Sequence, residues 1–261
     1  YGNFDVFTMP AMGGAPQRLT YNSADDYPYD FTPDNSQVLF GSGRSAPAKS
    51  VRFPGPRYWQ NLYTVPVKGG RLNLITAAGA EDAHYNKDGS KIVFQDRKGY
   101  EDPWRKHHTS AVTRDIWLYY ISDNSYNQLT KFKGENREPV WSNDENAVYY
   151  LNEKDGTQNL YKMILAGSNE KELTTFKDFP VRHLSISDNN KLAFTWKGEI
   201  YTITSEGSPQ KLNIMVSDDT GFKPLKNIDI NSVTEFAVSP NNKEIAFVNR
   251  GEVFVTGADA S

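Results

Sequence analysis

The chain has 261 residues, a formal charge of −3 and no cysteine, which excludes a disulfide framework and a thiolate metal site and argues against a general nucleic-acid binder, whose surface carries a basic excess. Hydrophobic residues make up 38%, yet there are 14 Phe, 15 Tyr and 5 Trp, a balance that suits strands packing flat side chains between stacked sheets. No run of 18 apolar residues is long enough for a membrane helix, and the opening YGNFDVFTMP lacks the basic start and apolar core of an export signal.

In chain order, Asp5-Val6-Phe7 and Arg18-Leu19-Thr20 read as two strands around Gly13-Gly14. A unit then begins that recurs to the end of the chain. A strand-like run meets a tight polar turn and leaves as an apolar strand closed by an aromatic: FTPDNSQVLF, YNKDGSKIVF, WSNDENAVYY, ISDNNKLAF and VSPNNKEIAF. The closing aromatics are Phe40, Phe94, Tyr150, Phe194 and Phe247, at spacings of 54, 56, 44 and 53. A third strand follows each, marked by Asn61-Leu62-Tyr63, Asp115-Ile116-Trp117, Asn159-Leu160-Tyr161, Glu199-Ile200-Tyr201 and Glu252-Val253-Phe254. A Gly-Gly or Gly-Ser turn and a Leu-Thr-like strand complete the unit, as in Gly69-Gly70 or Gln128-Leu129-Thr130. In the third unit this predicts strands at 138–142, 147–151, 159–165 and 171–174.

Self-similarity at roughly 40 to 50 residues with four short strands per unit is the pattern of a β-propeller. The expected fold is therefore all-β. Four complete blades run from about residue 28 to 212, with two outer strands before them and three strands after, at 235–238, 244–248 and 252–256. The whole of 1–261 reads as a single propeller domain. Because the first residues match the middle of a unit, it reads as a fragment of a longer polypeptide, whose ring is expected to be six-bladed.

In an up-and-down sheet successive connections lie on opposite edges. The tight turns therefore share one edge of the ring, and the long connections at 41–60, 95–114, 131–137, 175–180 and 213–233 share the other. Long loops gathered on a rigid scaffold are where binding usually resides. The first, from Gly41, carries Arg44, Lys49, Arg52 and Arg57 without an acid, a net of +4; the second, from Gln95, has a net of +2, so the rest of the chain is strongly acidic. A cationic rim on an anionic body can steer an acidic or carboxylate-ended peptide. The candidate peptide-binding residues are Arg52, Arg57, Tyr58, Trp59, Trp104, Arg105, Lys106, His107 and His108. The competing structural reading is that these cations pair with neighbouring acids and the aromatics hold the loops down.

No metal or other cofactor is expected. The side chains of His107 and His108 diverge and no carboxylate stands at ligand spacing, while the Asp and Asn of the turns are explained by turn chemistry. His84 and His183 fall in strand runs and are expected to be packed. Gly-x-Ser-x-Gly, HExxH, phosphate-binding and dinucleotide motifs are all absent, so no catalytic residue is assigned.

The Ser-Pro-Asp-Gly-like turn, aromatic-ended strand, Asp-Ile-Tyr-like strand and Leu-Thr strand resemble the WD40-like repeats of TolB and tricorn proteins, with 31–34 and 238–241 the nearest copies. The run DRKGYEDPWRKHHTSAVTRDIW from Asp96, with RGEVFV from Arg250, is similar to the first propeller of bacterial tricorn-type serine peptidases, over essentially the whole chain. That resemblance implies a parent hydrolase with two propellers, a PDZ domain and a C-terminal-processing-type peptidase core, often oligomeric, whose propellers guide or filter peptides. It also implies partners among peptides, proteins and the parent's other domains, and a periplasmic location, with the cytoplasm as the alternative. Archaeal relatives carry an Arg pair before the first turn of the motif, where this chain has Asn22-Ser23-Ala24-Asp25-Asp26. The alternatives are a TolB-like interaction scaffold of the cell envelope and the gating propeller of a prolyl-oligopeptidase-like hydrolase.

Overall fold

The computed structural model describes residues 2–44, 59–100, 109–167, 169–215, 230 and 232–259. Its contacts divide the chain into two compact units, Tyr1–Asn213 and Ile214–Ser261. The first holds a two-stranded ribbon, β1 (Phe7–Thr8) and β2 (Gln17–Arg18), and four antiparallel four-stranded sheets in plain chain order. These are β3 (Asp26–Phe31) to β6 (Asn73–Thr76), β7 (Ala80–Tyr85) to β10 (Ser125–Gln128), β11 (Asn136–Trp141) to β14 (Asn169–Glu172), and β15 (Arg182–Ile186) to β18 (Gln210–Lys211). The second unit is a three-stranded antiparallel sheet of β19 (Glu235–Val238), β20 (Glu244–Asn249) and β21 (Glu252–Gly257). These strands agree with the sequence pattern to within two residues at nearly every end. The chain is all-β, and its sheets are propeller blades.

The first unit has no single core. Each apolar cluster lies between two consecutive sheets: Val6 and Leu19 against Phe40 and Val65, Leu39 and Leu62 against Ile92 and Phe94, Val93 and Ile116 against Val148 and Tyr150, and Tyr149 and Leu160 against Leu192 and Phe194. A sheet stacked on both faces cannot alternate polar and apolar residues, and β12 (Ala147–Asn152) is accordingly buried at every position. In four of the five sheets the closing aromatic of the second strand lies against the aromatic of the third, Phe40 with Tyr63, Tyr150 with Tyr161, Phe194 with Tyr201 and Phe247 with Phe254, while Phe94 meets Tyr126 of the fourth strand. The first strands of successive sheets also touch, β3 with β7, β7 with β11 and β11 with β15. They form the innermost layer.

The tight turn is the same device five times. Its first residue, Thr32, Asn86, Ser142, Ser187 or Ser239, hydrogen-bonds the side chain two residues on, Asp34, Asp88, Asp144, Asn189 or Asn241. A left-handed residue follows: Asn35, Gly89, Glu145, Asn190 or Asn242. These bonds hold Asp34 down to about 2 and keep Asp88 and Asp144 below the usual carboxylate range. The left-handed residue also stitches neighbouring sheets together. The Glu145 carboxylate accepts the Lys87 N–H at 2.5 Å, and Asn190 Oδ1 accepts the Asn143 N–H at 2.8 Å. Pro33 has no N–H to offer at the equivalent place, and there the opposing residue is Gly89, where a Cβ would already touch the Pro33 ring.

A second repeated device explains the Asp/Asn and Thr of the third and fourth strands. The Thr20, Thr130 and Thr174 hydroxyls accept the backbone N–H of Val6, Ile116 and Leu160 and donate to Asp5, Asp115 and Asn159. One connection on the long-loop edge departs from the others: β16 (Leu192–Trp196) and β17 (Glu199–Ile203) are joined by Lys197-Gly198 alone, both at positive φ, the geometry of a tight hairpin.

Candidate functional site

The innermost strands share an irregularity. Register shifts fall between Pro28 and Asp30, Glu81 and His84, Arg137 and Val140, and Arg182 and Ser185. In three of them the bulged residue takes a positive φ, at Asp82, Glu138 and His183, which re-aims its side chain. The Glu138 carboxylate accepts the Leu184 N–H of the next sheet at 2.6 Å, although burial still raises its pKa. Burial, reinforced by Glu81 and Glu138, pushes Asp82 up to about 6. His183 departs from the packed position expected of it. The bulge turns it to the exposed side of β15.

Beside these bulges the long connections are anchored. Ala80 N–H donates to the Gln60 carbonyl, Arg97 N–H to the Gly79 carbonyl and Asn136 N–H to the Arg114 carbonyl, so the ends of both cationic loops lie on one edge. Arg52, Arg57, Tyr58, Trp104, Arg105, Lys106, His107 and His108 lie outside the described residues. Trp59 is half-buried, its ring 3.9 Å from where a Gly79 Cβ would stand.

The described cations at the loop bases are engaged by acids. Arg44 Nη2 lies 2.5 Å from buried Asp26 and its guanidinium lies over Phe40. Lys98 Nζ is 2.5 Å from Asp115 and 3.4 Å from Asp96. Arg97 and Arg114 both reach Glu81, Arg114 also approaches Glu135 at 3.6 Å, and Arg137 Nε donates to Glu135 at 2.7 Å. Burial alone would lower the Arg114 pKa, but Glu81 and Glu135 outweigh it and the group ends above its ordinary value. At the loop bases the structural reading of the cations therefore holds. One signal for this network is visible along the chain: Glu81 and Arg137 stand at the same place in two successive inner strands.

Among the clefts of the first unit, two lie on opposite edges of the sheets. On the long-loop edge, one of about 480 Å³ is bordered by Lys98, Ser110, Thr113, Lys131, Phe132 and Lys133. On the tight-turn edge, one of about 400 Å³ runs along the inner strands, with Val140, Trp141, Leu184 and Ile186 on its wall and Asp30, Lys87, Glu145 and Asp188 at its rim. Among the described residues no three of His, Asp and Glu are grouped so as to hold a metal ion. Nor is any helix long and apolar enough to cross a membrane.

Residues 1–209 match the model of the tricorn protease N-terminal β-propeller domain. The tricorn protease homolog of Saccharolobus solfataricus is 27% identical over 76% of this chain and 18% of its own length, and the tricorn protease of Thermoplasma volcanium is 26% identical over 75% and 23%. The chain thus spans about a fifth of these curated relatives. Among solved structures, TolB from Acinetobacter baumannii matches 97% of this chain and 57% of its own with a TM-score of 0.61 at 14% identity. A second TolB, from Agrobacterium tumefaciens, matches 78% of this chain and 72% of its own with a TM-score of 0.59 at 17% identity; at such identities the likeness is one of fold. The chain belongs to the tricorn protease N-terminal β-propeller family, of which it is a propeller part.

Proposed function

We propose that residues 1–261 form one non-catalytic propeller domain of a tricorn-type serine peptidase, and that the domain contacts peptides through the edge from which its long connections leave. The observation that carries this reading is the meeting, on one edge, of the bases of both cationic loops and an open cleft bordered by Lys98, Lys131 and Lys133. Asp115 and Asp96 engage Lys98, while Lys131 and Lys133 are exposed. Arg52, Arg57, Arg105 and Lys106 are proposed to add to them, with Tyr58, Trp59, Trp104, His107 and His108 supplying apolar and stacking contacts. The partner is a peptide with a carboxylate end or acidic side chains, because such a rim offers donors and positive charge. Catalysis, and any oligomer, belong in this reading to the other parts of the parent, with the periplasm as its compartment.

Titration of an acidic, carboxylate-ended peptide by calorimetry tests the reading. Arg57→Glu combined with Arg105→Glu should weaken binding by roughly tenfold or more. Unchanged affinity refutes it.

A further inference from the structure

The cleft on the opposite, tight-turn edge differs in chemistry. Its wall is apolar, made by Val140, Trp141, Leu184 and Ile186 from the inner strands of two sheets. Trp141 is fixed there by the bond from its Nε1 to the His84 carbonyl at 3.0 Å, so the indole presents a set face. At the rim the carboxylates of Asp30, Glu145 and Asp188 stand against Lys87 and His84: His84 Nδ1 lies 3.6 Å from Asp30, which also accepts the Tyr85 N–H, Glu145 accepts the Lys87 N–H, the Lys87 ammonium donates to the Asn143 carbonyl, and exposed Asp188 adds a further carboxylate. The amides around it are likewise engaged, Asn86 Nδ2 with Asp88 and Glu145, and Asn143 Nδ2 with the carbonyls of Ser187 and Asp188. Tyr85 lines the same cleft, where burial, with Asp30 nearby, pushes its pKa up to about 12.

What remains on offer is apolar surface beside acceptors. An anionic occupant would find the amide and indole donors of the cleft already engaged and the Lys87 ammonium tied to a carbonyl, and would lie against three carboxylates. An occupant bringing its own donors and an apolar side chain would find both complements. We infer that this cleft binds a free peptide through a Lys or Arg side chain next to a large apolar residue, the apolar group against Trp141 and Leu184 and the cation at Asp188 and Asp30. The inference rests on the peptide-contact reading above and gives that reading a second end of opposite charge. A bound peptide would place its basic, apolar-flanked part at the tight turns and its acidic part at the long loops.

The test uses calorimetry with two peptides blocked at both ends, one carrying Leu-Arg and its counterpart carrying Leu-Glu at the same position. The wild-type chain should bind the Leu-Arg peptide more tightly. Asp188 is exposed, so Asp188→Lys leaves the fold intact, as thermal melting will check, and should weaken the Leu-Arg peptide roughly three- to tenfold. The same change should bring the Leu-Glu peptide closer to it. Leu184→Ala should weaken both peptides. Arg57→Glu with Arg105→Glu should leave the blocked Leu-Arg peptide unaffected. Equal binding of the two peptides by the wild-type chain, or Leu-Arg affinity unmoved by Asp188→Lys, overturns the inference while leaving the long-loop reading in place. Absence of binding by acidic and basic peptides alike overturns both.

Discussion

Asp82→Asn is the sharpest probe of the inner-strand bulges. Asp82 is half-buried in β7 at φ 46, and among the described residues its carboxylate holds no hydrogen bond, while burial and then Glu81 and Glu138 move it from 3.8 to about 6. A carboxyl whose folded value lies above its unfolded value binds its proton more tightly in the folded state. Unfolding therefore releases a proton between about pH 4 and 6, and stability falls as pH rises through that window. Well above pH 6 the shift corresponds to a penalty of up to about 3 kcal/mol. Asparagine has nearly the same shape, cannot ionise, and tolerates a left-handed backbone better than most residues. Urea denaturation of both proteins from pH 4 to 8 should show the variant more stable at pH 7.5 by between about 1 and 3 kcal/mol, with the advantage shrinking towards zero near pH 4. A difference that stays constant across the range, or a wild-type chain that is the more stable at pH 7.5, would refute the assignment of the penalty to this ionisation.

The two repeated latches make further predictions. Thr130→Ala strips the buried Ile116 N–H of its acceptor and the Asp115 carboxylate of a donor, so denaturant melts should show a loss of about 1–3 kcal/mol, with Thr130→Ser recovering most of it. Glu145→Ala removes the acceptor of the Lys87 N–H while leaving an unsuited residue at φ 56, at a cost of about 1–2 kcal/mol. Glu145→Asn copies the arrangement of Asn190 with Asn143 and should lose less than half of that.

The repeat, the four-stranded blades and the tight turns were legible because each is fixed by residues close in the chain. A Ser or Thr with an Asp or Asn two positions on, then a residue able to take positive φ, makes the turn wherever it occurs. The latch pairs Asp115 with Thr130 across one hairpin, and so recurs in the sequence as the Asp-Ile-Trp and Leu-Thr strands. The role of the cations was not legible in this way. Arg44 meets Asp26, Arg97 and Arg114 meet Glu81, and Arg137 with Arg114 meets Glu135, and a linear pattern of charge gives no measure of which cations a buried acid has claimed.

The bulges that re-aim Asp82, Glu138 and His183 escaped for a related reason. An extra residue in one strand is defined only against its partner's register. The cleft at Trp141 needed still more, since its wall comes from β11 and β15 and its rim also takes Asp30 of β3 and Lys87 beyond β7. The sequence by itself determined the strands, the turns and the blade as a unit, because those are set by neighbours along the chain and by the alternation of side chains. Only the tertiary structure decided which charges are bound inside the fold and where apolar surface and rim carboxylates meet, because both depend on how one sheet is stacked on the next.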